Sequence, residues 1–324
     1  MKKGFSIIEL LVVMVISGVM ITALYSTYMN LYSGSKTQSK IAESMIEGII
    51  NSEIIRTDLV NIGLGLAKDE KVTGTSDDLY PINWDADNRT LFIHTTYDRL
   101  NPKTHGWALF KCESDNASNI TCEKDNEQSG LSADSFSSLK MISSLNNKEI
   151  DYDEGTVAAA DYYYAVGYPY DAAAADKYIT VTYRLDDDCN GDGTPDRGAR
   201  CNANTSVLCR NNVALVDCAG GFEIYAGYEE GGNIVYDNLT SIVNDDRSHF
   251  FKLRRLIVYA LVQEGQFDRK FNFGADEMVK ELGFDAEDNL LDQISFPIPE
   301  DGRNYRWNIM TIDARTYNIG KKYD

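Results

Sequence analysis

The stretch Met1-Lys-Lys-Gly-Phe-Ser-Ile-Ile-Glu-Leu-Leu-Val-Val-Met-Val-Ile-Ser-Gly-Val-Met20 decides the architecture: two lysines lead into an apolar run that holds one carboxylate, Glu9. Apolar residues continue from Phe5 to about Tyr25, and roughly 20 residues at about 1.5 Å each are long enough to cross the hydrocarbon core of a bilayer. A secretory signal peptide has a shorter apolar region with a small-residue cleavage site after it, whereas Ser17-Gly18 is followed by more apolar sequence, Val19 to Leu24. Removal after the apolar region is therefore not expected. A plain signal anchor accounts for the run and for Lys2 and Lys3, which would hold the N-terminus in the cytoplasm. It leaves Glu9 unexplained, because a carboxylate near the end of a spanning helix is costly in hydrocarbon unless something pairs with it, and so reads by default as functional.

Lys3-Gly4-Phe5-Ser6-Ile7-Ile8-Glu9-Leu10 resembles the prepilin signature of type IV pilins and type II secretion pseudopilins. The resemblance implies that a membrane-embedded prepilin peptidase cuts between Gly4 and Phe5, and that Phe5 is then N-methylated. It implies further that Glu9, fifth from the new N-terminus, pairs with the Phe5 amine of a neighbouring subunit during assembly. The expected partners are other pilin or minor pilin subunits, the peptidase and an inner-membrane assembly platform. The expected location is the bacterial inner membrane, single-pass with the head in the periplasm, and afterwards the pilus and cell surface. In the competing reading the chain is an adhesin or sensory ectodomain on a signal anchor, with Glu9 a snorkelling residue near the membrane surface.

The rest of the chain is a head. About 260 residues lie beyond the stem and its continuation, enough for one large domain or two small ones, and no second apolar run is long enough to span a bilayer. The formal charge is -19, and it becomes -21 when Lys2 and Lys3 leave with the leader. An acidic surface repels nucleic acid and anionic lipid and favours cations or basic partners, so no nucleic acid is expected. Three scattered histidines, with no P-loop, GxSxG, CxxCH or HExxH sequence, point away from an enzyme.

Four segments follow: a leader over 1–4, a transmembrane and filament-core helix over 5–25, an amphipathic continuation over 26–62, and a β-rich head over 63–324. No proline occurs before Pro81, and Ile41, Met45, Ile49, Leu59 and Ile62 recur at mostly helical spacing, which predicts one apolar stripe laid against the head. Ile62-Gly63-Leu64-Gly65 stops the helix. Beyond it, β-branched and aromatic runs predict strands at Thr90–Tyr97, Gly106–Cys112, Tyr162–Val166, Tyr178–Leu185, Val213–Cys218, Phe222–Tyr228, Phe251–Val262 and Tyr305–Tyr317. Short helices are expected over Asp134–Leu145 and Ala275–Leu282, and loops over Ser114–Gly130 and Asp186–Asn204. The fold class is α+β and pilin-like: a long N-terminal helix packed on a mainly antiparallel β head.

The order of head segments extends the resemblance. Tyr178–Leu185, an acidic loop, Val207–Arg210, Ala214–Cys218 and Phe222–Tyr228, with Leu253–Val262 and Arg306–Tyr317 at the end, resemble the head of PilW-type minor pilins and the related GspJ-type minor pseudopilins. The chain is about twice the size of compact major pilins, and Ser26 stands where many of those have a helix-kinking proline. A minor, priming or tip-proximal role follows from the resemblance, with the minor pseudopilin of a type II secretion system as the alternative.

Asp186-Asp-Asp-Cys-Asn-Gly-Asp-Gly-Thr-Pro-Asp196 is a candidate calcium loop. Asp188, Asn190 and Asp192 put oxygen ligands at alternate residues, Gly193 permits a sharp turn that aims the Thr194 carbonyl inward, and Asp196 adds a carboxylate. An EF-hand has a bidentate Glu at its twelfth position, where this chain has Ala199, so Asp186, Asp187 or a distant carboxylate must complete the shell. The competing reading is a solvated turn, rich in Asp, Asn and Gly for turn reasons. The six cysteines, Cys112, Cys122, Cys189, Cys201, Cys209 and Cys218, lie in the head and are expected in disulfides. Local closure suggests Cys112–Cys122, Cys189–Cys201 and Cys209–Cys218 among 15 pairings. A zinc site competes weakly, since no CxxC pair is present.

Overall fold

The computed structural model describes residues 6–67, 81–85, 87–116, 119–127, 139–144, 149–150, 161–170, 177–230, 233–239, 253–284 and 290–316. Gly4 and Phe5 lie outside these residues. A single helix α1 (Ile7–Val60) runs unbroken past Gly18, Gly34 and Gly48. It starts at Ser6, whose backbone is extended and whose N–H donates to the Glu9 carboxylate at 3.0 Å, a capping-box contact at the helix N-terminus. It ends at Asn61, after which Gly63 and Gly65 both take φ of 70°. The stop is welded to the head: the Gly63 N–H donates to the His94 carbonyl, and the Thr96 N–H and hydroxyl both donate to the Leu64 carbonyl. A Cβ on Gly65 would stand 2.2 Å from Thr96 Oγ1, so both conformation and space demand glycine there.

The head holds β1 (Ile82–Asp85), β2 (Thr90–Thr95), β3 (Ala108–Asn116), β4 (Asn119–Glu127), β5 (Leu139–Ser143), β6 (Glu149–Ile150), β7 (Asp161–Pro169), β8 (Ile179–Asp186), β9 (Ser206–Arg210) and β10 (Val213–Glu230). β11 (Asn233–Asn238), β12 (Leu253–Glu264), β13 (Glu277–Phe284), β14 (Leu290–Pro297) and β15 (Arg306–Arg315) complete it. The main sheet runs β1-β2-β8-β9-β10-β12-β15, with β11 on β10, and every described pairing is antiparallel. A second sheet, β4-β3-β7-β5-β6, is inserted between β2 and β8 and has its own small core around Phe110, Met141 and the Cys112–Cys122 bond. There Tyr163 packs inward while Tyr164, on the other face, is exposed.

The centre of the molecule is a three-layer sandwich. Leu256, Val258 and Ala260 of β12 face α1 and join Ile55, Leu59 and Ile62 in the main core. Ile257, Tyr259 and Leu261 face the other way, under Leu282, Ile294 and Phe296 of the β13–β14 hairpin. A strand buried on both faces reads as the continuous run Leu256-Ile-Val-Tyr-Ala-Leu261 rather than as an alternation. Gly221 lets the hairpin close: a Cβ there would lie 2.4 Å from the Phe296 ring.

Several expectations are corrected. Glu277–Phe284 is a strand, not a helix, although Glu-Met-Val-Lys-Glu-Leu is rich in helix formers. Its Leu282 is buried on the outer face of β12, and that tertiary contact overrides local propensity. Of the expected Asp134–Leu145 helix, residues 139–143 form β5, whose Met141 and Ile142 are buried, and residues 134–138 lie outside the described residues. Within the expected loop Ser114–Gly130, Asn119–Glu127 is the edge strand β4, too polar to read as a strand from pattern. The two strands expected at Val213–Cys218 and Phe222–Tyr228 are one strand, bulged between Ala219 and Gly221.

The spine is also turned differently from the expectation. Of the expected stripe, Met45 and Ile49 are exposed, Ile41 is half-buried near Gly265, and Leu59 and Ile62 are buried, joined by Ile55. Nearer the stem, polar side chains meet the head: the Gly265 N–H donates to Ser44 Oγ at 3.2 Å, and Asn51 Nδ2 donates to the Leu215 carbonyl at 2.5 Å. Arg200 pairs with Glu47 at 2.5 Å. The head offers backbone polar groups and an arginine at this level, so hydrogen-bonding side chains occupy the facing positions.

Candidate assembly site and acidic loop

The N-terminal half of α1 is exposed along its whole length. Every residue from Ser6 to Lys36 is exposed, Ile7 at 81%. Among the described residues, one helix is long and apolar enough to cross a membrane by length and composition, and it is this one. Glu9 sits in its first turn, where the helix N-terminus favours a carboxylate and the Ser6 N–H occupies one of its oxygens.

The acidic loop is folded around inward-turned acceptors. Asp188 takes the Gly191 N–H at 2.7 Å and the Asp192 N–H at 3.2 Å on Oδ1, and the Gly193 N–H at 2.6 Å on Oδ2. Asn190 Oδ1 takes the Asp192 N–H, Asp192 Oδ1 takes the Thr194 N–H, and Asp196 Oδ2 takes the Cys189 N–H, each at 2.8 Å. The Thr194 N–H and hydroxyl hold the Asp192 carboxyl below its ordinary range. Gly191 and Gly193 supply the left-handed turns at φ of 76° and 82°. Asp186 pairs with Arg184 at 3.0 Å, and Asp187 lies 3.7 Å from Arg197. The loop's carboxylates do not form a group of three within 4.8 Å. Among the described residues Cys201, Asp217 and Cys218 do lie that close together, but the two sulfurs are joined to each other and offer no thiolate for zinc. Asp188, Asn190, Asp192, Asp196 and the Thr194 carbonyl are hard oxygens, chemically suited to calcium, and the four side chains are turned onto backbone N–H groups.

Two disulfides clamp this loop. Cys112–Cys122 forms as expected, but the others are Cys189–Cys209 and Cys201–Cys218. Sheet register is the reason. Cys209 faces Ala214 across the β9–β10 hairpin, so Cys218 is four residues further along, about 13 Å away at strand rise. Asp186 at the end of β8 lies beside Val207 of β9, which brings Cys189 to Cys209. Cys201–Cys218 then ties the far end of the loop to β10, next to Asp217. Burial pushes the Asp217 carboxyl up, and the carboxylates of Glu47 and Asp196 add to it against the Gly198 N–H and Arg200.

Residues 1–25 match the prokaryotic N-terminal methylation motif. The chain carries a prepilin-type N-terminus. No curated protein matches it, and no solved structure does.

The prepilin-type helix is anchored to the head by a buried charge cluster that no sequence motif announces. Asp58, in the last turn of α1, accepts from Arg210 Nε at 2.7 Å and from the Tyr183 hydroxyl at 2.5 Å. Arg210 Nη2 reaches Asp98 Oδ1 at 2.6 Å. All four residues are buried, Tyr183 completely. Burial alone would favour a neutral Arg210, but hydrogen bonds to Asp58 and Asp98 outweigh it and the guanidinium pKa is raised. Burial and then Asp58 push the Tyr183 phenol well above its ordinary range, so it stays a donor. Asp58 sits within Arg56-Thr-Asp-Leu59, where it reads as one more polar residue on an amphipathic helix; its partners lie 125 and 152 residues away.

Proposed function

We propose that this chain is a membrane-inserted prepilin, cut between Gly4 and Phe5 and N-methylated at Phe5, that enters a type IV pilus as a minor subunit at initiation or at the filament tip. The observation that carries the reading is the methylation motif over residues 1–25, continuous with a helix whose first half is exposed. Extraction from the bilayer keeps the apolar faces buried among subunits, and Glu9 neutralises an incoming Phe5 amine. A large head suits a filament end. N-terminal mass spectrometry of the mature protein tests this: a methylated Phe5 start is expected, and an intact Met1 would make the chain a signal-anchored ectodomain instead.

The motif is shared with pseudopilins, so the second reading is a minor pseudopilin of a type II secretion system, favoured equally by the order of head strands. Recovery of the protein in sheared surface pili supports the first reading, and absence from them supports the second. Asp188, Asn190, Asp192, Thr194 and Asp196 are proposed to hold calcium in either case. Isothermal titration is expected to give saturable heat with an affinity of about 10⁻⁴–10⁻³ M, typical of extracellular calcium modules, that disappears in Asp192→Ala. No heat from the wild type at millimolar calcium removes the ion from the proposal.

A further inference from the structure

We propose that the head reaches its disulfide pattern through a thiol–disulfide isomerase, which re-pairs Cys189, Cys201, Cys209 and Cys218 after export. The bonds Cys189–Cys209 and Cys201–Cys218 interleave, since Cys201 lies inside the loop closed by the first and Cys209 inside the loop closed by the second. Chain order works against that pattern. An exported chain emerges N-terminal end first, so Cys189 meets Cys201 before Cys209 is available. Loop entropy acts in the same direction, because the consecutive pairs Cys189–Cys201 and Cys209–Cys218 close shorter loops than the native separations of 20 and 17 residues. Of the pairings that these four cysteines allow, closure weighted by the three-halves power of loop length leaves roughly one unfolded chain in eight with the native one. Cys112–Cys122 is itself consecutive and forms without help.

Once mispaired by a dithiol oxidase of that compartment, the chain cannot correct itself. Its six cysteines are then all consumed in bonds, and disulfide exchange begins with attack by a thiolate. An external thiolate must supply it, from an enzyme kept in its dithiol form with a depressed thiol pKa. The exchanges balance with no further oxidant. The enzyme thiolate attacks Cys189 Sγ of Cys189–Cys201, and Cys201 leaves as a thiolate. Cys201 attacks Cys218 Sγ, which forms Cys201–Cys218 and releases Cys209. Cys209 then attacks Cys189 Sγ of the mixed disulfide, which forms Cys189–Cys209 and returns the enzyme thiolate. Native packing sets the direction: the β9–β10 register puts Cys209 opposite Ala214 rather than near Cys218, and on either side of Cys201 the Asn202 N–H donates to Gln263 at 2.8 Å and Arg200 pairs with Glu47 at 2.5 Å. In the closed head Cys189, Cys209 and Cys218 are at most 1% exposed, so the native bonds are shielded from further attack. Re-pairing therefore precedes docking of this loop on α1. It requires only that the head lie outside the cytoplasm, which the filament and signal-anchor readings share.

The test expresses the full chain in a bacterial host with and without its periplasmic disulfide isomerase, and traps thiols with acid and an alkylating agent shortly after synthesis. Mass spectrometry of unreduced peptides maps the bonds, with cleavage after Leu208 to separate Cys201 from Cys209. Without the isomerase, Cys189–Cys201 and Cys209–Cys218 are expected to dominate and the native pairing to fall to roughly one chain in eight, while Cys112–Cys122 forms equally in both hosts. Two double variants, Cys201→Ser with Cys218→Ser and Cys189→Ser with Cys209→Ser, each leave one native bond that is now consecutive. That bond is expected to form equally in both hosts, and the mapping scores it whether or not the variant folds. Native pairing of the wild type at the same level in both hosts overturns the proposal. So does equal isomerase dependence in the double variants, which would make the enzyme a folding aid rather than an agent of re-pairing. None of these outcomes bears on the mature N-terminus, so the proposed function stands or falls separately.

Discussion

Arg210→Met is expected to destabilise the head by about 3–5 kcal/mol, the cost of leaving a buried ionic cluster without its cation. The substitution keeps much of the side-chain volume but strands two carboxylates, Asp58 and Asp98, in surroundings where both are buried. Urea titration of the detergent-solubilised chain, followed by near-ultraviolet circular dichroism of the head, reads the loss. Adding Asp58→Leu and Asp98→Leu to Arg210→Met is expected to recover part of the stability, because apolar groups of similar volume often replace a buried ionic cluster at little cost. Tyr183→Phe, which removes one hydrogen bond to Asp58, should cost less, about 1–2 kcal/mol. A cost below about 1 kcal/mol for Arg210→Met would mean that α1 is held by the Ile55, Leu59 and Ile62 contacts alone. Because Asp58 belongs to the helix and Arg210 to β9, the same variant should raise proteolysis at residues 61–67, where the helix joins the head.

Glu9→Ala is expected to leave the protein inserted in the membrane and to remove it from filaments. An unpaired charge inside a bilayer-like core costs about 2.5–3.5 kcal/mol, so losing the carboxylate proposed to neutralise a terminal amine should shift incorporation by about two orders of magnitude. The ratio of protein in sheared filaments to protein in membranes measures it. Glu9→Gln sharpens the interpretation. In the structure Glu9 also accepts the Ser6 N–H, a contact that a glutamine carbonyl preserves. Retained assembly in Glu9→Gln would therefore assign Glu9 to helix capping, and continued failure assigns it to charge neutralisation. Unchanged surface display of Glu9→Ala would favour the signal-anchored ectodomain.

Much of this was legible in the chain because the relevant signals are local. Freedom from proline before Pro81 and the Ile62-Gly-Leu-Gly65 stop delimit α1, and its end falls at Val60. Strands such as Thr90–Thr95 and Ile179–Asp186 are visible from β-branched and aromatic content alone. The failures share one cause. Glu277–Phe284 looks helical by itself and is a strand because β12 has an uncovered apolar face. Asn119–Glu127 looks like a loop and is an edge strand because β3 offers it a ladder. Cys209 and Cys218 are near in sequence, yet their bonds go to Cys189 and Cys201 because sheet register places the partners.

The opening residues by themselves determine that this chain has a prepilin-type N-terminus, since the motif over residues 1–25 is continuous in sequence and needs no distant partner. Only the tertiary structure decides how that helix is presented. Ser44, Asn51 and Asp58 bond to groups on strands and loops far along the chain, and those bonds set the rotation of the spine on the head. With polar side chains turned inward to satisfy buried backbone and arginine donors, Met45, Ile46, Ile49 and Ile50 are turned outward. Hydrophobic periodicity reveals that a helix has an apolar face, but the direction of that face depends on which surface offers the unsatisfied hydrogen bonds.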